Sequence, residues 1–147
     1  MIRSLDVHYE REIVHLLSRG RDWNFAKRSP MKASMRLRSD IFVSALIRQA
    51  ELSGASAMLR RRGGAEAGAI FVKIDRLDGR AALYGPAPQS EELPIGVARL
   101  FTRHHAAEWL DPGEIEAKLR REIEFDPDVW IVEIEDRQGR NFIDLAK

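Results

Sequence analysis

Ala69-Ile70-Phe71-Val72-Lys73-Ile74-Asp75, then Arg76-Leu77-Asp78-Gly79, then Arg80-Ala81-Ala82-Leu83-Tyr84: the reading of this stretch decides the fold. The first run is rich in branched and aromatic residues, as strands are. Ile70, Val72 and Ile74 fall on one face and Phe71, Lys73 and Asp75 on the other, the period of two expected of a half-buried antiparallel strand. Arg76 to Gly79 turns the chain, with Gly79 free to take the positive φ of a tight hairpin. Residues 80–84 return as the partner strand, and Gly85-Pro86-Ala87-Pro88 ends it, because proline brings no ladder donor. A hairpin with one apolar face must be covered by something else, so the flanking segments are read for helices.

Upstream, Phe42, Val43, Leu46, Ile47 and Ala50 recur at the spacing of a helix with one buried stripe. Ser39 or Asp40 is placed to cap its first amides and Gly54 to close it. Residues 56–62 form a short mixed strand carrying Arg60, Arg61 and Arg62, and glycines 63, 64 and 68 mark a loop. Downstream, residues 97–102 read as a fourth strand, with a helical turn over 95–100 as the alternative. Asp111-Pro112-Gly113-Glu114 offers an acidic cap, proline at the first helical position and glutamate three residues after the cap. The helix it starts turns Ile115, Leu119 and Ile123 inward and pairs Glu114 with Lys118, Glu116 with Arg120 and Arg120 with Glu124 on its wet side. Asp126-Pro127 terminates it. Val129-Trp130-Ile131-Val132 is apolar on both faces, the mark of a mid-sheet strand, and residues 141–145 add an edge strand or tail. The order αββββαβ predicts an α+β domain: two main helices packed against a mainly antiparallel sheet of about five strands.

A chain of 147 residues with 44% apolar content can furnish one core. The absence of cysteine excludes disulfide frameworks, thiolate metal sites and cysteine nucleophiles. Net charge is +1, yet residues 1–38 hold nine Lys/Arg against four Asp/Glu and the remainder fifteen against nineteen, so a basic leader precedes a mildly acidic domain. Within the leader, Ser4 caps and Leu5, Tyr9, Ile13, Leu16 and Leu17 line a helix over 5–19 that Gly20 stops. The expected division is a basic extension over 1–34 and a compact domain over 35–147. Met31 and Met35 allow a second explanation, in which the leader reflects an upstream start. The longest apolar run, from Ile41 to Ile47 and interrupted by Ser44, is too short to span a bilayer. The first thirty residues lack the apolar block and small-residue cleavage site of a secretion signal. The expected compartment is the cytoplasm.

Three passages resemble a bacterial family known as domain of unknown function 1491, from about residue 35 to residue 145. They are Ser39-Asp40-Ile41-Phe42-Val43-Ser44-Ala45; Gly68-Ala69-Ile70-Phe71-Val72-Lys73 with Leu77-Asp78-Gly79 and Leu83-Tyr84-Gly85-Pro86-Ala87; and Phe125-Asp126-Pro127-Asp128-Val129-Trp130 with Glu133-Ile134-Glu135-Asp136. The last is the most specific. The resemblance implies no activity, substrate or catalytic residue, and it has no counterpart for residues 1–34.

The residues themselves offer three chemical candidates. His104 and His105, with Glu108 and Asp111 downstream, are metal-ligand types, but neighbouring side chains diverge on a strand and on a helix, and a polar bend with Trp109 packed on the core accounts for them equally. Asp75 and Asp78, joined by Glu66, would suit a magnesium site for phosphodiester cleavage, served by His104 or His105. The Glu-x-Lys of such sites occurs only as Glu116 and Lys118, on a helix, and Asp78 beside Gly79 is explained by turn geometry. Arg60, Arg61 and Arg62, presented on both faces of a strand with Tyr84 or Phe71 nearby, would suit phosphate or single-stranded nucleic acid; protection of an exposed sheet edge explains them as well. No phosphate-cradling, dinucleotide, serine-hydrolase or zinc-protease motif is present. No metal or cofactor is therefore expected. The leading expectation is a non-catalytic binding or assembly module whose protein or nucleic-acid partner engages the arginine strand or the leader. The alternatives are a metal-dependent phosphodiesterase or nuclease and an RNA- or DNA-binding module.

Overall fold

The computed structural model describes residues 37–89 and 93–147; the helix expected over 5–19 and the boundary near residue 35 lie outside them. Two helices and six strands follow in the order α1 (Ser39–Leu52), β1 (Ser56–Arg61), β2 (Ile70–Asp75), β3 (Ala81–Pro86), β4 (Leu100–Arg103), α2 (Pro112–Phe125), β5 (Trp130–Glu135) and β6 (Asp144–Leu145). The class is α+β, as the pattern predicts.

The sheet is mixed and has six strands in the spatial order β1-β5-β2-β3-β4-β6. The expectation of about five mainly antiparallel strands fits in outline, but the strands number six and two of the five pairings are parallel. The β1–β5, β2–β3 and β3–β4 pairs are antiparallel, but β5 runs parallel to β2, with Lys73 beside Glu133, and β6 runs parallel to β4. The physical reason lies in β5: apolar on both faces, it is stable only between two neighbours, and it inserts between β1 and β2. Trp130, Ile131, Val132 and Ile134 are all buried there, as the mid-sheet expectation requires.

One face of the sheet is covered by α1, whose Val43, Leu46 and Ala50 pack with Ile70, Val72, Ile74, Trp130, Val132 and Phe101. The other is covered by α2, whose Ile115 and Leu119 pack on Phe71, Ala81, Leu83, Val129 and Ile131. Each such aliphatic side chain contributes roughly 1.5–3 kcal/mol on full burial. With both faces covered, β2 cannot be half-buried: every residue from Ile70 to Ile74 is buried, Lys73 included, and the expected wet face does not exist.

Three local expectations also shift. The capping position of α1 is Arg38, with no side-chain cap. The amides of Ser39 and Asp40 donate to the carbonyls of Glu66 and Ala65, and the buried Ser39 hydroxyl donates to the Gly68 carbonyl at 2.6 Å. First-turn amides need only an acceptor, and the glycine loop supplies it. β3 runs on through Gly85 and Pro86, which pair with Thr102 and Phe101. β4 begins at Leu100, whose carbonyl accepts from the Ala87 amide, and a turn closed by Val97 N–H on the Pro94 carbonyl precedes it. The start of α2 is as expected: Asp111 accepts from the Gly113 amide at 2.8 Å, followed by Pro112.

Candidate functional site

Titratable side chains converge on the sheet face beneath α2. The parallel register sets Lys73 of β2 beside Glu133 of β5, and the antiparallel register sets Met58 of β1 on the far side of Glu133. A bulge between Leu59 and Arg61 leaves Arg60 out of the ladder, and a bulge re-aims its residue. Glu116 descends from α2, next to the buried Ile115.

Arg60 grips Glu116 with two bonds, Nη1–Oε1 at 2.6 Å and Nη2–Oε2 at 2.9 Å, and its Nη1 lies 3.3 Å from Glu133 Oε2. Lys73 Nζ donates to Glu116 Oε1 at 2.9 Å and lies 3.2 Å from Glu133 Oε1 and 3.7 Å from Asp75 Oδ2. Only 6% of the Lys73 side chain is exposed, so its charge depends on these carboxylates. Glu116 is thus paired across the sheet and not, as expected, with Arg120 along its own helix.

Protonation is driven away from neutrality. Burial works against the Lys73 ammonium, but hydrogen bonds to Glu116 and Glu133 outweigh it and raise its pKa. The hydrogen bond from Arg60, with help from Lys73, takes Glu116 down to about 2. Arg60 is raised, first by its bond to Glu116. Acid–base catalysts have pKa values tuned toward the working pH; Lys73 and Glu116 are tuned the other way and hold fixed charges.

The sequence-selected residues are dispersed around this cluster. Asp75 accepts from the Leu77 amide at 2.8 Å and Asp78 from the Arg80 amide at 3.1 Å, so both carboxylates close the hairpin. Glu66 sits before β2 and Asp75 at its end, roughly 20 Å of strand apart; the three acids do not gather. Among the described residues no group of three or more His, Asp or Glu is arranged to hold a metal ion. His104 packs edge-on to Phe71, ring centroids 5.2 Å apart, with Nδ1 4.0 Å from Glu122. His105 accepts from the Leu83 amide and reaches the Ala107 carbonyl. Burial lowers the pKa of both.

The arginines part company. Arg60 faces α2, Arg61 Nη2 donates to the Pro127 carbonyl at 2.9 Å, and Arg62 lies over the Trp130 ring of the opposite core, 5.4 Å from its centroid. Tyr84 is buried in that same core, which raises its pKa, and its strand is three places from β1. The structure therefore does not join Tyr84 to Arg60. Sequence reasoning missed the Lys73, Glu116 and Glu133 cluster. Its signal is a lysine and a glutamate inside two otherwise apolar strands.

No helix among the described residues is long and apolar enough to cross a membrane. Known proteins bear on the fold more than on the chemistry. The family model for proteins of unknown function designated DUF1491 matches residues 37–144. The crystal structure of a DUF1491 family protein from Caulobacter crescentus CB15 is similar with a TM-score of 0.63 at 39% identity, covering 77% of this chain and 100% of that one. An NMR structure of a DUF1491 family protein from the same organism has a TM-score of 0.64 at 39% identity, covering 77% and 99%. The solution structure of protein Atu0922 from A. tumefaciens has a TM-score of 0.58 at 48% identity, covering 69% and 86%. No curated protein matches. With the family match spanning most of the described residues, the chain belongs to the DUF1491 family.

Proposed function

We propose that the chain is a non-catalytic binding or assembly module of the cytoplasm, made of a compact domain over 35–147 preceded by a basic extension over 1–34. One observation carries the reading: where titratable groups converge, Arg60, Lys73, Glu116 and Glu133 neutralise one another at 2.6–3.3 Å. A domain that draws on no cysteine suits a reducing compartment. Arg62, exposed above Trp130 just past the end of β1, is the arginine of the 60–62 run best placed to meet a partner.

The test pairs turnover with binding. The purified chain is assayed on chromogenic phosphodiester, phosphomonoester and carboxylic ester substrates with magnesium, manganese or zinc, and its melting temperature is recorded with each metal. The expected result is no turnover and no metal-dependent rise. Turnover that disappears in Asp75→Asn or Glu116→Gln, with the fold retained, would overturn the reading in favour of hydrolysis. Binding to single-stranded DNA or RNA that weakens steeply with salt, and is lost in Arg62→Ala, would identify nucleic acid as the partner.

A further inference from the structure

β3 loses its partner strand at Arg103, where the chain leaves the sheet, and regains it at Leu110, whose amide and carbonyl both bond Ala81 at 2.8 Å. Between these points lies one ladder position. The Leu83 carbonyl there accepts from the His104 amide at 2.9 Å, but the Leu83 amide has no carbonyl opposite. It donates instead to His105 Nε2 at 3.0 Å. His105 Nδ1 lies 2.6 Å from the Ala107 carbonyl. A carbonyl only accepts and a backbone amide only donates, so both partners dictate one state of the ring: neutral, with its proton on Nδ1.

We propose that His105 is a pH-sensitive latch: neutral, its imidazole closes the β3 ladder in place of a strand residue; protonated on Nε2, it opposes the Leu83 amide and releases the 105–109 excursion from the sheet. The proton comes from bulk water and the bond lost is Leu83 N–H to Nε2. Around the ring stand Arg103 of β4, the neighbouring His104 and Lys118 from α2, each of which disfavours a positive charge on it; Glu122 of α2 lies against His104. Arg103 also donates to the carbonyls of His105 and Ala106, so it holds the same excursion. The excursion carries Trp109, whose ring lies 5.1 Å below the Arg76 guanidinium; release therefore uncovers part of the α1-side core at the hairpin end of the sheet. The latch stands independently of the binding reading above.

The test is amide exchange by NMR on the full chain at pH 7.5 and pH 5.0, corrected for the intrinsic rate. Glu116 stays ionised over this interval. The expected result is a Leu83 protection factor that falls about tenfold or more at pH 5.0, with His105 in the Nδ1–H form at pH 7.5 by its ring-nitrogen shifts. In His105→Gln, whose carboxamide does not titrate, Leu83 protection becomes the same at both pH values, whereas His104→Gln retains the wild-type fall. Equal Leu83 protection at both pH values in the wild type, a fall that persists in His105→Gln, or an Nε2–H ring at pH 7.5 would each overturn the proposal. Two of those three outcomes need no variant, so they decide the matter even if His105→Gln fails to fold.

Discussion

Lys73 and Glu116, forty-three residues apart, meet at 2.9 Å, and this contact, beside the Arg60–Glu116 pair, fastens α2 to the centre of the sheet. A buried charge that keeps all its partners can be nearly neutral for stability, while one that loses a partner is costly.

Replacing Lys73 by Met should therefore destabilise the domain by about 3 kcal/mol, since Glu116 and Glu133 are left sharing Arg60. Adding Glu133→Leu removes the surplus carboxylate and should restore part of the loss. The urea-unfolding free energies of the two singles and the double should close a cycle with a coupling of about 1–3 kcal/mol.

Acid should act on the same cluster. The Glu116 carboxyl is held at about 2 against an ordinary 4.5, so the unfolded chain takes up its proton first. Its contribution is complete above about pH 4.5 and is lost as pH falls toward about 2. Melting temperatures between pH 5 and pH 2 should fall less steeply for Glu116→Gln than for the wild type.

Leu77 stands at the hairpin tip with φ of +64° and 52% exposure. A left-handed backbone costs an ordinary side chain about 1–2 kcal/mol, and asparagine tolerates it better. Leu77→Asn should raise the stability by about 0.5–1 kcal/mol, and Leu77→Val, branched at Cβ, should lower it; thermal melts of both variants check the contrast.

Gly85 has no room for a side chain: a Cβ there would overlap the His104 ring and come within 2.6 Å of Phe71 Cε1. Gly85→Ala should cost about 1–3 kcal/mol by expelling His104 from its place against Phe71. A change in the His104 ring shifts, with those of His105 retained, is the spectroscopic signature.

Legibility followed range. Asp111 and Pro112 announced the start of α2 because a cap and a first-turn proline act on amides within one turn. The apolar run at Val129 placed β5 in mid-sheet because such a run is stable only when both faces are covered. Ser39 misled as a cap because the acceptor for its helix comes from Glu66 and Ala65, in a loop beyond the next strand. Residues 97–99 misled as strand because Val97 closes a turn on Pro94 and the ladder to β3 begins only beyond them.

The candidate site was the least legible part. Lys73 has the alternation of a solvent-facing residue, and only α2 arriving overhead with Glu116 makes it a buried ion. Arg60, Arg61 and Arg62 read as one basic patch, but a bulge and two core faces send them to Glu116, the Pro127 carbonyl and Trp130.

By itself the sequence determined the two helices, the β2–β3 hairpin, the central position of β5 and the absence of any thiol chemistry. These rest on periodicity, turn residues and composition, which act between near neighbours. The tertiary structure alone decided that β5 lies parallel to β2, that β2 is buried on both faces, and that Lys73, Glu133, Glu116 and Arg60 meet. Strand order and ion partners are set by which surfaces must leave water together, a condition that residues far apart in the chain satisfy jointly.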